Sequence, residues 1–279
     1  MIPAVNPSRL KLTALAALML LAGSACTKPV PSAPSAPIWQ PRPEACHDGF
    51  TNFLSAPTYD EKTCEERHTY QTVHVADFEG DLAGRSAPPE SIVDAPEAWA
   101  VCDKKLTAFL GGEWRDRNIW LRIAMPTEKA WAQGARWFSC EVATANFGAQ
   151  VTSISRSFSG AYTTMPELEW GCAEATEGLA ATKRCDEPHN AEYVGYFVVD
   201  MSYEVFVSET GEHGKITREC RSMIGDFVAM PTKRIGYWPM SFGEDEWNKG
   251  DHAVRCFLWL DVYVSKSLKG VGASGWPLK

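Results

Sequence analysis

Two histidines in the chain have neighbours that could support acid–base chemistry. His189 is followed three residues later by Glu192, and a histidine beside a carboxylate can transfer protons in catalysis. His68 has a similar setting, but its partner position holds Gln71, which cannot take up a proton at neutral pH. Residues three apart on a strand point to opposite faces, so His189 and Glu192 meet only across a bulge. We therefore expect both histidines to fix loop-to-strand junctions by hydrogen bonding to the backbone.

A cysteine precedes each of these histidines by four residues, which raises zinc binding as an alternative. Cysteine and histidine are the usual ligands of structural zinc. The same cysteines have a simpler use as disulfides if the chain is exported, and we predict no metal and no cofactor. The acidic run at residues 244–246 lacks the alternating oxygen spacing of a calcium loop, so it is interpreted as solvated charge.

A further pattern, Trp-x-x-Gly followed by a cysteine six residues after the glycine, occurs twice. Tryptophans at such positions could form an exposed platform for sugar rings or fill a core between helix and sheet. We predict the core role, and we expect the glycines to occupy turns with positive φ. Identical spacing in two places indicates an internal repeat. The two copies are Trp131, Gly134 and Cys140, and Trp247, Gly250 and Cys256.

Common catalytic signatures are missing from the sequence. It contains no Gly-x-Ser-x-Gly elbow, no His-Glu-x-x-His helix, no phosphate loop and no dinucleotide fingerprint. His213 and His252 lie in polar segments and are expected to face solvent. No catalytic residue is therefore predicted.

The first 25 residues have the pattern of an export signal. Arg9 and Lys11 form a positive region, an apolar stretch follows, and small residues precede Cys26. The apolar stretch is shorter than the roughly 20 residues that a transmembrane helix needs. We predict that Cys26 carries a lipid, although Gly23 stands where such signals usually have Leu, Val or Ile. The alternative is secretion after cleavage at the same bond.

Residues 26–45 are rich in Pro, Ala and Ser, a composition that predicts a semi-extended tether. An unstructured tail without a spacing role fits the same composition. The formal net charge of the chain is −8, and it becomes −10 when Arg9 and Lys11 leave with the signal. Such an acidic protein is not expected to bind nucleic acid or to dock electrostatically on anionic lipid. Membrane attachment would then depend on Cys26.

Eight cysteines remain beyond Cys26, four in each half, and they predict four disulfides. An even number of cysteines in an exported chain is typical of a disulfide framework. If every pair stays within its own half, nine pairings are possible, and the sequence does not choose among them. The cysteines are Cys46, Cys64, Cys102 and Cys140, then Cys172, Cys185, Cys220 and Cys256.

The elements around these residues predict an α+β fold with two modules, at residues 46–145 and 170–264. Each module is expected to be a small antiparallel sheet with one helix. In the first module the main strand is predicted over 70–78, and the helix begins near Pro96 with Asp94 as its cap. In the second, the corresponding strand is predicted over 192–199 and the helix over 216–227. Both helices contain a cysteine.

The second module resembles the septum-formation domain, which is found mainly in envelope proteins of actinobacteria. The resemblance is carried by Cys185-x-x-Pro188-His189-x-x-Glu192, by the helix with its cysteine, and by the closing Trp-x-x-Gly and cysteine. It covers residues 170–260.

Residues 46–145 resemble the same domain more loosely, so two tandem copies are expected. Arg67 stands in the proline position of the motif and Gln71 in the glutamate position. The resemblance implies exported, often membrane-attached proteins and a role in septum formation or wall assembly.

We therefore expect a non-enzymatic lipoprotein on the outer face of the cell membrane, or a secreted protein if Cys26 is not lipidated. It would bind an envelope protein or a wall component. The alternatives are a hydrolase of wall glycan or peptide, and a purely structural spacer. An enzyme needs a cleft that gathers titratable groups, a binding module needs an exposed apolar or aromatic patch, and a spacer needs neither.

Overall fold

Two β-sheets and the helices packed on them make up the part of the chain that a computed structural model describes, residues 37–147, 150–176, 179–231 and 235–277. These elements lie in one compact unit, Ile38–Lys279. The export signal and Cys26 lie outside the described residues, so both assignments stay predictions. Within the described ranges, no helix is long and apolar enough to cross a membrane.

The mixture of strands and helices confirms the α+β class, with seven strands in the first sheet and five in the second. The strands are β1 (Cys46–Asp48), β2 (Phe53–Leu54), β3 (Asp60–Lys62), β4 (Tyr70–Asp77), β5 (Ile119–Pro126), β6 (Trp137–Ala145), β7 (Val151–Thr152), β8 (Cys172–Thr176), β9 (Leu179–Lys183), β10 (His189–Val198), β11 (Gly236–Met240) and β12 (Ala253–Val264). The helices are α1 (Gly80–Ala83), α2 (Pro96–Leu110), α3 (Glu128–Ala132), α4 (Ala161–Thr164), α5 (Tyr203–Ser208), α6 (Lys215–Val228), α7 (Glu244–Lys249) and α8 (Gly272–Gly275).

Five strands of each sheet follow the same order. The first sheet runs β5-β6-β4-β1-β3 and the second β11-β12-β10-β8-β9, with every neighbouring pair antiparallel. The first sheet adds β2, parallel to β5, and β7, antiparallel to β6. In both halves the long helix falls between the third and fourth of these strands in chain order. The second half therefore repeats the topology of the first.

Strand register repeats as well. Cys140 of β6 lies opposite His74 of β4, and Cys256 of β12 lies opposite Gly195 of β10. In both sheets the pairing shifts immediately before His74 or Gly195, which is the signature of a bulge. The two central strand pairs are thus interrupted at the same position.

The long helix of the first half begins where the sequence predicts, but its cap is different. Proline is favoured in the first helical turn because its missing N–H needs no partner there, and α2 begins at Pro96 with Ala95 as the N-cap residue. Asp94 was expected to be that cap. Its carboxylate instead accepts a hydrogen bond from the Ser91 backbone amide at 3.3 Å, because residues 92–94 form a short 3₁₀ turn.

Four disulfides join the cysteines in the same pattern in both halves. Within each half the first cysteine pairs with the second, which ties a strand to the following loop. The third pairs with the fourth, which ties the long helix to the closing strand, β6 or β12. Cα–Cα distances of 5.1–5.4 Å lie within the normal range for disulfides. The pairs are Cys46–Cys64, Cys102–Cys140, Cys172–Cys185 and Cys220–Cys256.

The folded chain extends beyond both predicted module boundaries. Trp39, assigned to the tether, packs edge-on against Tyr59 at 5.5 Å and Trp137 at 5.9 Å, and its carbonyl accepts from the Trp137 indole. Leu268 lies past the predicted end at 264 and is fully buried against the second sheet. A proline-rich composition was a poor guide to residues 38–45, because Trp39 packs on the first sheet and the backbone of Glu44 and Ala45 hydrogen-bonds to Thr72.

Candidate functional site

The two predicted histidines occupy equivalent, fully buried positions, His68 just before β4 and His189 at the start of β10. Nδ1 of His68 lies 2.8 Å from the carbonyl oxygen of Glu66, and Nδ1 of His189 lies 2.8 Å from that of Glu187. A carbonyl can only accept, so Nδ1–H donates in both cases. The expected hydrogen bonds from histidine to backbone at the loop-to-strand junction are confirmed.

His189 and Glu192 do meet, across a bulge of the kind that the sequence analysis requires. Nε2 of His189 is 3.3 Å from Oε1 of Glu192. The pairing of β10 with β12 is irregular between His189 and Ala191, and this bulge turns the two side chains to the same side. In the first half, Nε2 of His68 finds no partner among the described residues.

The carboxylate of Glu192 holds the segment that follows β12. It accepts hydrogen bonds from the hydroxyl of Ser267 and from the backbone amide of Leu268, both at 2.8 Å. Glu192 is also part of a group with Cys172 and His189 whose ligand atoms lie within 4.8 Å of one another. The sulfur of Cys172 is bonded to Cys185 and offers no thiolate, so this group is not a metal site.

Gln71 makes the same kind of attachment in the first half. Its side-chain oxygen accepts from the Phe158 backbone amide at 2.8 Å and from the Ser157 hydroxyl at 3.2 Å, and its amide nitrogen donates to the Glu44 carbonyl at 2.9 Å. In each half, then, a buried strand residue binds a Ser-apolar pair in the segment beyond the closing strand. We call this arrangement the strand clasp, with Gln71 and Glu192 as its two centres.

Both repeated tryptophans are core residues, each 1% exposed. They lie on the short helices α3 and α7. The indole N–H of Trp131 donates to the Arg85 carbonyl at 2.8 Å, and that of Trp247 donates to the Met201 carbonyl at 2.9 Å. Their rings are closed to a sugar ligand.

The glycines that follow have the predicted positive φ, +105° at Gly134 and +124° at Gly250. Their surroundings differ. A Cβ on Gly134 would lie 3.5 Å from a methyl group of Ile38, whereas a Cβ on Gly250 would lie 2.6 Å from the indole of Trp99 in α2. Gly250 is therefore also a point of close contact between the two halves.

Two polar residues are less exposed than the sequence indicates. Glu246, interpreted as part of a solvated run, is 4% exposed and forms ion pairs with Arg122 at 3.0 Å and Lys249 at 2.6 Å. His252, expected to face solvent, stacks on Trp247 with ring centroids 5.1 Å apart.

A buried ion network joins the two halves, and the sequence analysis missed it. Asp251 lies 3.3 Å from Nη1 of Arg255 and 3.7 Å from Nε of Arg115, and Arg255 is fully buried. Burial alone would lower the pKa of Arg115, but the carboxylates of Asp103, Asp251 and Glu113 together raise it above its usual value. The Arg115 guanidinium is therefore charged inside the protein.

Tyr193 and Asp116 add a second link between the halves. The phenol of Tyr193 donates to Oδ1 of Asp116 at 2.8 Å. Burial, and then the negative charge of Asp116, raise the pKa of Tyr193 well above its usual value. Tyr193 therefore stays neutral and keeps this hydrogen bond.

A buried histidine–carboxylate pair in the first sheet also went unnoticed. Nε2 of His47 lies 3.0 Å from Glu141, both side chains are fully buried, and the imidazole stacks on Tyr59 at 4.0 Å. The equivalent residues, each one position after a repeated cysteine, are Ala173 and Phe257. The pair is sealed from solutes and belongs to the first half alone.

A cavity of about 650 Å³ opens between the end of β4, α1 and the start of α2. We call it the acidic groove. Apolar side chains line its floor, among them Phe78, Ala98, Val101 and Phe138. Exposed carboxylates line its edge, from Asp77, Glu79, Asp81 and Glu97. None of the predicted site residues lines it.

Comparison with known proteins gives one family. The family model described as Septum formation matches residues 21–256, which is most of the chain and includes strands of both sheets. The match is a single span, so the division into two tandem copies of that domain stays a prediction. No curated protein and no solved structure matches the chain.

Proposed function

We propose a function from one premise, that the chain belongs to the septum-formation family. It is a non-enzymatic binding protein of the cell envelope that takes part in septum formation or wall assembly. Four disulfides are consistent with an extracytoplasmic location, because such bonds persist in oxidising compartments.

The non-enzymatic part of the proposal is carried by one observation, the hydrogen bonds that His189 and Glu192 make. Nδ1 of His189 is bound to the Glu187 carbonyl and Nε2 faces Glu192, whose oxygens hold Ser267 and Leu268. A general base must reach the proton that it abstracts in a bound substrate. This pair is buried and engaged in structural hydrogen bonds, which supports a non-enzymatic role for it.

The proposal includes attachment to the membrane: Cys26 carries a lipid and holds the folded unit near the membrane. The folded unit begins at Ile38, so the tether between them is about a dozen residues. Mass spectrometry of the mature N-terminus should show a lipid-modified Cys26. An unmodified cysteine, or cleavage elsewhere, would remove this half of the proposal.

The binding half is tested by photo-crosslinking the full chain in intact envelopes. We expect specific crosslinks to one envelope protein or wall fraction from photo-reactive residues placed at exposed positions in both halves, such as Lys104 and Val207. A Cys26→Ser chain, released from the membrane, serves as the matched control and should lose crosslinks that depend on position. A wild-type chain that crosslinks to nothing would count against a binding function.

The competing hydrolase function predicts soluble fragments from purified wall material. We expect no release above a buffer control. Release that disappears in a folded His189→Ala variant, with its melting temperature recorded, would favour the enzyme.

A further inference from the structure

The acidic groove is not a necessary consequence of the fold, since the second half builds the same region differently. There the equivalent short helix, α5, inserts Phe206 into the core, where it stacks on Trp247 with centroids 4.5 Å apart. The first-half helix α1 consists of Gly80–Ala83 and has no aromatic residue. The cavity lies beside this shorter helix.

The charge at the edge of the groove is also particular to the first half. Asp77, Glu79, Asp81 and Glu97 make no ion pair with any described residue, and no lysine or arginine is among the lining residues. The repeat equivalents of these four positions are Val198, Asp200, Ser202 and Lys215, which carry no net charge. Neither the sheet nor the helix therefore requires carboxylates here.

These carboxylates do not form a metal site. In the described part of the chain, the one group whose ligand atoms come within 4.8 Å of one another is Cys172, His189 and Glu192. The acids of the groove are spread around an opening whose floor is apolar. A bare cation would leave that floor unused, whereas a ligand that is both apolar and basic would contact floor and edge together.

We infer that the acidic groove binds a segment of a partner protein in which lysine or arginine alternates with large apolar side chains. The apolar side chains lie on the floor formed by Phe78, Val101 and Phe138, and the cations lie at Glu79 and Asp81. A volume of about 650 Å³ is within the range of ligand pockets and holds a few side chains. This inference rests on the proposed binding function and names the chemistry of its partner.

The test uses a fluorescein-labelled peptide of sequence Arg-Phe-Lys-Leu-Arg-Phe and the intact, disulfide-bonded chain in fluorescence anisotropy. Two control probes replace the basic residues by glutamate or the apolar residues by serine. We expect binding of the first probe alone, weakening as salt rises because exposed charges are screened.

Two variants test whether the peptide binds in the acidic groove. Glu79→Gln with Asp81→Asn should weaken binding about fivefold, because each exposed ion pair contributes only modestly to affinity. Val101→Trp, which fills the floor, should weaken it at least tenfold. The matched control, Asp200→Asn with Glu204→Gln, removes the same charge from exposed positions in the second half and should bind like wild type.

Equal binding of the glutamate probe, an equal loss in the control variant, or full affinity in the Val101→Trp chain would overturn the inference. Crosslinking in envelopes then shows whether only the groove assignment fails or whether the proposed binding function fails as well. If Val101→Trp keeps the wild-type crosslinks, the protein binds a partner elsewhere and only the groove assignment fails. If wild type has no crosslinks, the binding function itself fails.

Discussion

Glu192 shows how one side chain can determine the use of its neighbours. A bulge brings it to His189, and its two oxygens then bind a hydroxyl and a backbone amide from beyond β12. A buried carboxylate is tolerated when such donors surround it. Gln71 does similar work with no charge, and this substitution leaves Nε2 of His68 without a described partner. Both halves therefore have the strand clasp, but only the second has a carboxylate at its centre.

Replacing His189 or His68 by alanine should lower the melting temperature by several degrees. Each substitution removes a buried hydrogen bond to a carbonyl and leaves a cavity, a loss of about 1–3 kcal/mol. Differential scanning calorimetry measures the change, with His213→Ala, at an exposed position, as the control. An unchanged melting temperature together with lost partner binding would contradict the structural role.

Gly250→Ala should destabilise the protein more than Gly134→Ala. Both substitutions place a side chain at positive φ, which costs of order 1–3 kcal/mol. At Gly250 the added methyl group also meets the indole of Trp99, which adds roughly 1–3 kcal/mol of overpacking. Chemical denaturation of the matched pair gives the difference, and equal losses would show that the contact with Trp99 relaxes freely.

Residues that repeat were predictable and residues that occur once were not. The spacing shared by the two halves predicts positive φ at Gly134 and Gly250 and burial of the tryptophans. His47 and Glu141 are 94 positions apart and have no counterpart in the second half. Only the strand pairing brings them together, so no local pattern could signal them.

Two of the four disulfides join a helix to a strand, and the other two join a strand to a loop. Cys102–Cys140 and Cys220–Cys256 fix a helix to the closing strand across 38 and 36 positions of sequence. The other two close a strand and its loop across 18 and 13 positions. The sequence predicts all four bonds and the long helices, because cysteine number and helical spacing are local or countable. It does not predict the pairing, which depends on strand order.

Removing the helix-to-strand disulfide of the second half should cost more stability than removing the loop disulfide. The chain-entropy model gives roughly 4 kcal/mol for Cys220→Ala with Cys256→Ala, and roughly 3 kcal/mol for Cys172→Ala with Cys185→Ala. Guanidinium unfolding of both double variants measures the two losses. A larger loss for the loop bond would mean that the junction, and not the helix, limits stability.

In the molecule as a whole, the two sheets depend on each other. The first half contributes Arg115 and the second contributes Asp251 and Arg255, and these charges are buried together. Removing one member of a buried ion pair leaves the other uncompensated. No pattern in the sequence revealed this interface, because Arg115 lies far along the chain from Asp251 and Arg255 and only the fold brings them together.

Asp251→Asn should therefore destabilise both halves at once, by about 3–5 kcal/mol. Asp245→Asn, at an exposed position six residues earlier, is the matched control and should change stability by less than about 0.5 kcal/mol. Tryptophan fluorescence and far-ultraviolet circular dichroism should follow one coincident transition in wild type. Separate transitions for the two signals would contradict the mutual dependence.

Because the chain is synthesised from its N-terminus, the strand clasp at Gln71 can close before the one at Glu192. Ser157 and Phe158, which close the clasp at Gln71, are synthesised before the second half begins at Cys172. The first sheet can thus complete its own hydrogen bonds while the rest of the chain is still emerging. The carboxylate of Glu192 must wait for Leu268, some 76 residues later. Until Leu268 is available, Glu192 can hydrogen-bond only to water, so the second clasp closes after the first.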